Sequence, residues 1–338
     1  MRHWGAPHRE TYTIAPDFPG HPPVVRLALA PRFAFDAFGD SFKWLLLGDD
    51  DTVFVLPAVL RLLNEAGLDA NEPHMISDYQ YVCRDPGNVA ACDAPAAEDR
   101  RCLPCPQGQR FCPCRLPPEC THQDNWRFEN CTDRARNLPY GGVGVIYSVG
   151  MMRLLAEDPG FYIAKAFRDT VPAEPWGDRT LGDAPRIKGY GFTNLTAAAS
   201  QIPIPRFFGT YSWFNDGRNP QDLLSALREA ARNEPKQFGR TVSVHVRTAT
   251  VPGDARQLAQ GLLPAYEQIV ELFQRFHAHL ERSERQRSER KQEEREREGA
   301  SVEEDGQADV AGEQPSGAGE GGSLVGVSWE SVLEQAQP

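Results

Sequence analysis

The chain has no apolar window approaching the roughly 18 uninterrupted residues that a membrane-spanning helix requires, so no part of its 338 residues reads as a span. Its first seven residues, Met1 to Pro7, lack the apolar core of a signal peptide. It has no internal repeat, which removes solenoids and propellers from consideration. Basic residues are outnumbered, 36 Lys+Arg against 47 Asp+Glu for a net charge of −11. That balance argues against nucleic acid, whose phosphates require Lys/Arg patches. The acidity is unevenly spread: residues 299–338 hold eight acidic side chains and no Lys or Arg, leaving −3 for the rest. What is present, 40% apolar residues, suffices for a globular core.

Cysteine is absent outside one stretch. All eight, from Cys83 to Cys131, fall within 49 residues. An even, crowded set in a Pro-rich segment reads as a disulfide-stapled insert of an oxidising compartment. Cys102-x-x-Cys105 and Cys112-x-Cys114 also leave zinc thiolates open, although no second C-x-x-C follows at finger spacing. Two N-x-[ST] sequons, at Asn130 and Asn194, lean towards the secretory pathway. After Glu281 comes a block with seven acidic and seven basic residues in 281–298, which reads as either an exposed helix or disorder. Residues 299–338 are too poor in apolar side chains to offset chain entropy and are expected to be a disordered tail.

Between these extremes the pattern is mixed α/β. Lys43–Gly48 is expected to be a strand buried on both faces. Pro57–Ala66 is predicted helical, with Gly67 just beyond its end, and Ser148 is placed to cap a helix running to Leu155. A helix is expected from Pro220 towards Asn233. Thr241–Val246 alternates as a strand with Val242, Val244 and Val246 on one face and Thr241, Ser243 and His245 on the other. Tyr266, Ile269, Val270, Phe273, Phe276, His277 and Leu280 follow helical spacing.

Two segments carry chemistry. In W-L-L-L-G-D-D-D-T-V-F, residues 44–54, three consecutive carboxylates sit between apolar runs. Their mutual repulsion makes sense if a hard divalent cation neutralises them, and alternation at a strand end would aim Asp49 and Asp51 at one ion. Without such an ion the same triplet is an acidic surface turn. In Y-G-G-V-G-V-I-Y-S, residues 140–148, paired glycines permit close backbone approach to a ligand, or simply turn the chain into a strand.

Together these segments resemble the Fringe-like β1,3-glycosyltransferases of glycosyltransferase family 31. Trp176-Gly177-Asp178-Arg179-Thr180-Leu181-Gly182 is similar to that family's D-D-x-T-[IV]-G, with Gly177 at the first Asp position. Val244-His245-Val246 is similar to its V-H-V, and Phe276-His277-Ala278-His279-Leu280 to a C-terminal H-x-H-L. His277 lies on an apolar helical stripe and is assigned to the core; neither it nor His279 is assigned to metal. The resemblance covers about residues 25–281 and implies an α/β, GT-A-like core with a Rossmann-like nucleotide-sugar site. Only 48 residues precede Asp49, so the implied core is N-terminally incomplete and its membrane anchor is missing from this sequence. The expected organisation is a domain over 1–281 with its Cys-rich insert at 83–131, a mixed-charge segment at 282–298 and an acidic tail at 299–338.

The resemblance also implies roles. Asp51, His245 and Asp49 would ligate Mn²⁺ or Mg²⁺. Asp49, Asp50, Gly141, Gly142 and Trp176 would contact a UDP-sugar donor, and Asp178 would be the catalytic base. The implied activity is metal-dependent, inverting transfer of a hexose or N-acetylhexosamine to a glycan or glycoprotein hydroxyl in the Golgi or secretory lumen. The alternative is a catalytically inactive, disulfide-rich binding module derived from that fold.

Overall fold

The structure is a computed structural model that describes residues 17–49, 52–77, 80–83, 92–93, 101–121, 136–139, 142, 144–172, 174–175, 177–195, 206–208, 220–246 and 255–305. It divides into two compact units. One comprises residues 1–220 and 240–251, the other residues 221–239 and 252–338. The division therefore runs through the expected single domain, and position 281 lies inside a helix rather than at a boundary.

The larger unit is mixed α/β, as expected at that level, with small and mostly antiparallel sheets. Strand β7 (Val145–Ser148) is central to the first, flanked by β1 (Trp44–Leu47) and β3 (Met75–Ile76), both antiparallel to it. Its side chains alternate between two cores. Ile146 packs with Val59, Leu62, Ile76 and Val242, whereas Val145 and Tyr147 pack with Met75, Met151 and Leu181. The strand buried on both faces is therefore β7. The expected one, β1, lies at the sheet edge and is half-buried throughout. A run of three leucines records apolarity but not how many neighbours the strand will have.

In the second sheet β11 (Thr241–His245) is central, antiparallel to β2 (Thr52–Phe54) and parallel to β10 (Arg206–Phe208). Its alternation is present, but both faces are covered. Thr241 and Ser243 are as inaccessible as the valines, and His245 is 5% exposed. Two further small sheets join β4 (Gln80–Cys83) to β5 (Cys92–Asp93) and β6 (Arg136–Pro139), and β8 (Thr170–Val171) to β9 (Glu174–Pro175).

Helix α1 (Val25–Phe38) buries Val25, Ala28 and Leu29 and ends at Gly39, which has a positive φ of 58° and whose N–H donates to the Phe35 carbonyl. Helix α2 (Leu56–Ala66) starts and stops as the sequence predicts. Pro57 sits in its first turn, and Gly67 closes it in the left-handed conformation. Ser148 caps α3 (Val149–Ala156) by accepting from the Met151 N–H at 3.0 Å. Asp158 caps α4 (Pro159–Asp169) in the same way. Helix α5 (Gly177–Ile187) follows, with Pro185 inside it.

The second unit holds α6 (Pro220–Asn233), the short α7 (Pro235–Phe238) and α8 (Ala255–Asp305). Phe238 stacks on Phe273 at 4.5 Å between centroids and meets Phe276 edge-on. Ile269, Phe273, Phe276 and His277 are buried on the predicted stripe. Beyond Leu280, α8 continues through the mixed-charge block with almost every described side chain in solvent, as far as Asp305. The block is thus a helix, and it extends into the first residues of the expected tail; the tail after Asp305 lies outside the described residues.

Candidate functional site

The acidic triplet follows β1 and precedes β2 in the chain, and Asp49 lies outside both strands. The Thr52 N–H donates to the Asp49 carbonyl at 3.1 Å. Asp49 is half-buried; Asp50 and Asp51 lie outside the described residues. Gly48 leaves room for Thr52, since a Cβ there would stand 2.5 Å from Thr52 Oγ1.

Thr52 ties the start of β2 to two distant segments. It pairs directly with His245 across β2 and β11, so both side chains leave the same face. Its hydroxyl donates to the Gly142 carbonyl at 3.0 Å. Gly142 itself meets His245: a Cβ built on it would stand 2.5 Å from Nε2 and 2.7 Å from both Cδ2 and Cε1. A point along the Nε2 lone pair would be much farther from the two carbons than from the nitrogen. Nearly equal distances place it over the ring, so Gly142 lies flat against the imidazole face. Gly144, two residues on, has φ 84° and a would-be Cβ 2.5 Å from Phe54 Cζ, so it too leaves no space for a side chain. The two ends of the glycine segment are thus pressed against β2 and β11. Gly141 and Trp176 lie outside the described residues.

Of the expected ligands the structure describes Asp49 and His245; carboxylate oxygens and an imidazole nitrogen are donors that a hard divalent cation accepts. His245 stands opposite the residue that follows Asp51. Among the described residues no cluster of three or more His, Cys, Asp or Glu has metal-binding geometry, Asp50 and Asp51 being outside that set.

Asp178 occupies the first turn of α5, partly exposed, rather than a solvated loop. The preceding Gly177 abuts α1, where a Cβ would come within 2.7 Å of the Val24 carbonyl oxygen. The rest of α5 is locked by buried charge. Lys165 Nζ on α4 lies 2.6 Å from Asp169 and 3.4 Å from Asp183. Thr180 donates to Asp169 at 3.1 Å, and Arg179 approaches Asp183 at 3.9 Å. Arg186 bonds Asp183 at 3.3 Å and reaches the Cys120 carbonyl at 3.2 Å. Burial first, then neighbouring Arg101, pushes the Arg186 guanidinium down to about 10.

The Cys-rich segment docks on the end of this helix. Leu116 N–H donates to the Gly189 carbonyl and Gly191 N–H to the Cys114 carbonyl, around a bridge between Arg115 and Tyr190. Cys102 pairs with Cys114 and Cys105 with Cys112, so these four are not zinc thiolates. Cys120 is disulfide-bonded as well. No protein-family model, curated protein or solved structure matches the chain.

Sequence reasoning missed Thr52 and Gly48, which organise the site without chemistry of their own. The available signal was a glycine and a threonine bracketing the acidic triplet.

Proposed function

We propose that the chain is a metal-dependent inverting glycosyltransferase of GT-A-like fold. It transfers a hexose or N-acetylhexosamine from a UDP-sugar to a glycan or glycoprotein hydroxyl. The observation that carries this reading is the meeting of Gly142 and His245 around Thr52, the residue that follows the acidic triplet and bonds the Asp49 carbonyl. Segments that the sequence separates by about ninety residues or more converge on one face, as a nucleotide-diphosphate site requires.

Asp51 and His245, with Asp49, are the residues that would hold the ion. When bound, Mn²⁺ supplies Lewis-acid stabilisation for charge on the departing diphosphate. Asp50, Gly141 and Trp176 contact the donor. Asp178 accepts the proton of the acceptor hydroxyl as that oxygen bonds to the anomeric carbon. The bond from that carbon to the diphosphate breaks, and its electron pair leaves with UDP. The paired cysteines favour an oxidising compartment, in keeping with the secretory lumen.

Titration calorimetry of UDP with and without Mn²⁺ tests the reading. Asp51→Ala and His245→Ala are each expected to abolish the Mn²⁺-dependent part of UDP binding. Unchanged UDP affinity in both variants overturns it. The inactive binding module is favoured by a different observation: a disulfide-held tip, Leu103–Arg110, stands in solvent. Glycan binding without sugar release from any UDP-sugar would select that reading.

A further inference from the structure

We propose that Gly142 is the positioning residue of His245: its bare Cα seats the face of the imidazole, and Thr52 on β2 holds that seat in place. The metal-binding consequence rests on the glycosyltransferase reading; the seat itself rests on geometry alone. Gly142 thereby acquires a role other than close approach to the nucleotide.

Three observations converge on it. First, the 2.5 and 2.7 Å separations from a would-be Cβ to the ring atoms leave no room for any side chain at position 142. His245 is 5% exposed, so the ring has no open solvent into which to swing if displaced. Second, the seat is tied down. The Thr52 hydroxyl donates to the Gly142 carbonyl at 3.0 Å, and Thr52 is the direct cross-strand partner of His245. One side chain thus fixes the height of Gly142 above the strand that carries the imidazole. Third, the threonine is itself placed by a glycine, since a Cβ on Gly48 would strike Thr52 Oγ1 at 2.5 Å. The chain from Gly48 through Thr52 to Gly142 and His245 is a continuous set of contacts that sets the plane of one ring.

Ring plane matters because a ligating nitrogen presents its lone pair in that plane. Partners that orient a metal-ligating histidine typically change metal affinity by roughly 10- to 100-fold when altered. A backbone packed on the ring face constrains the same rotation that a second hydrogen bond would.

The test uses the full chain, with Mn²⁺ and UDP as the probe. Free Mn²⁺ is followed by electron paramagnetic resonance, and pulsed measurements detect imidazole ¹⁴N coupling to the bound ion. Gly142→Ala is expected to weaken Mn²⁺ binding roughly 10- to 100-fold and to diminish the ¹⁴N coupling. Thr52→Val should weaken it to a lesser degree, with Thr52→Ser restoring it, which keeps the test open if Gly142→Ala fails to fold. In His245→Ala the added Gly142→Ala change should cost no further affinity. That double variant should also melt at a higher temperature than Gly142→Ala alone, because the clash partner is gone. Wild-type Mn²⁺ affinity and coupling in both Gly142→Ala and Thr52→Val overturn the proposal. If the wild-type chain binds no Mn²⁺ with UDP, the glycosyltransferase reading fails. The seat is then judged by melting temperature alone: additive losses in the double variant overturn it, and relief of the clash upholds it.

Discussion

His74 shows how far a single buried side chain can be read. Its imidazole is fully buried, with Nδ1 3.1 Å from Thr193 Oγ1, Nε2 3.6 Å from Glu72 Oε2 and the Trp44 ring alongside. Burial holds the imidazole at about 4, with Asp69 pulling weakly upward. The unfolded histidine takes up its proton near 6.5, before the folded one does, so protonation favours unfolding. Stability is therefore complete above pH 6.5 and falls as the pH drops towards 4, by about 3 kcal/mol in all. Urea titrations across that window should show the decline, and His74→Gln should flatten it. Asp69 contributes below this range, because its carboxyl is lowered by bonds from Asn71. The buried ion cluster makes a second residue-scale prediction. Lys165→Met takes the ammonium away from buried Asp169 and Asp183, leaving them to Arg179, Arg186 and Thr180, and should cost about 3 kcal/mol in a denaturant titration. Replacing Asp169 by leucine as well should restore part of that loss.

At the scale of elements, the most unusual is α8. Its first half buries Ala265, Ile269, Phe273 and Phe276, whereas residues from Glu281 to Arg297 are almost all exposed. Hydrogen bonding between side chains four residues apart, seen where the Gln292 amide donates to Glu296 at 3.0 Å, supports this half of the helix. Truncation after Ser283 should therefore reduce helical ellipticity while changing the stability of the remainder by less than about 0.5 kcal/mol. Full unfolding of the truncated chain would show that the exposed half is needed by the rest. Helices with plain punctuation were legible in the sequence. Pro57 and Gly67 bracket α2, and Ser148 opens α3, because caps act through bonds one turn away. Helix α5 was not legible: G-D-R-T-L-G-D-A-P carries two glycines and a proline, and it is held by Lys165, Asp169 and Cys120 from elsewhere in the chain.

For the whole molecule, net charge says little about partners, since residues 299–338 supply most of it. The two-unit division could not be seen in the sequence, because residues 240–251 return to the first unit after a helical excursion. Among the described residues no helix is long and apolar enough to cross a membrane. The candidate site divides along the same line between what is local and what is not. Residue type alone determined which groups could serve: three adjacent carboxylates, a glycine pair and a histidine among valines. It also determined the local signals of α2 and α3, whereas the pairing of Cys102 with Cys114 and of Cys105 with Cys112 was left open against zinc. Only the tertiary structure decided that Thr52 stands opposite His245, that Gly142 seats the ring, and that the polar face of β11 is buried. The physical reason is that a turn or a cap is set by atoms a few bonds apart, whereas strand register and the covering of a face depend on which distant segments share the core.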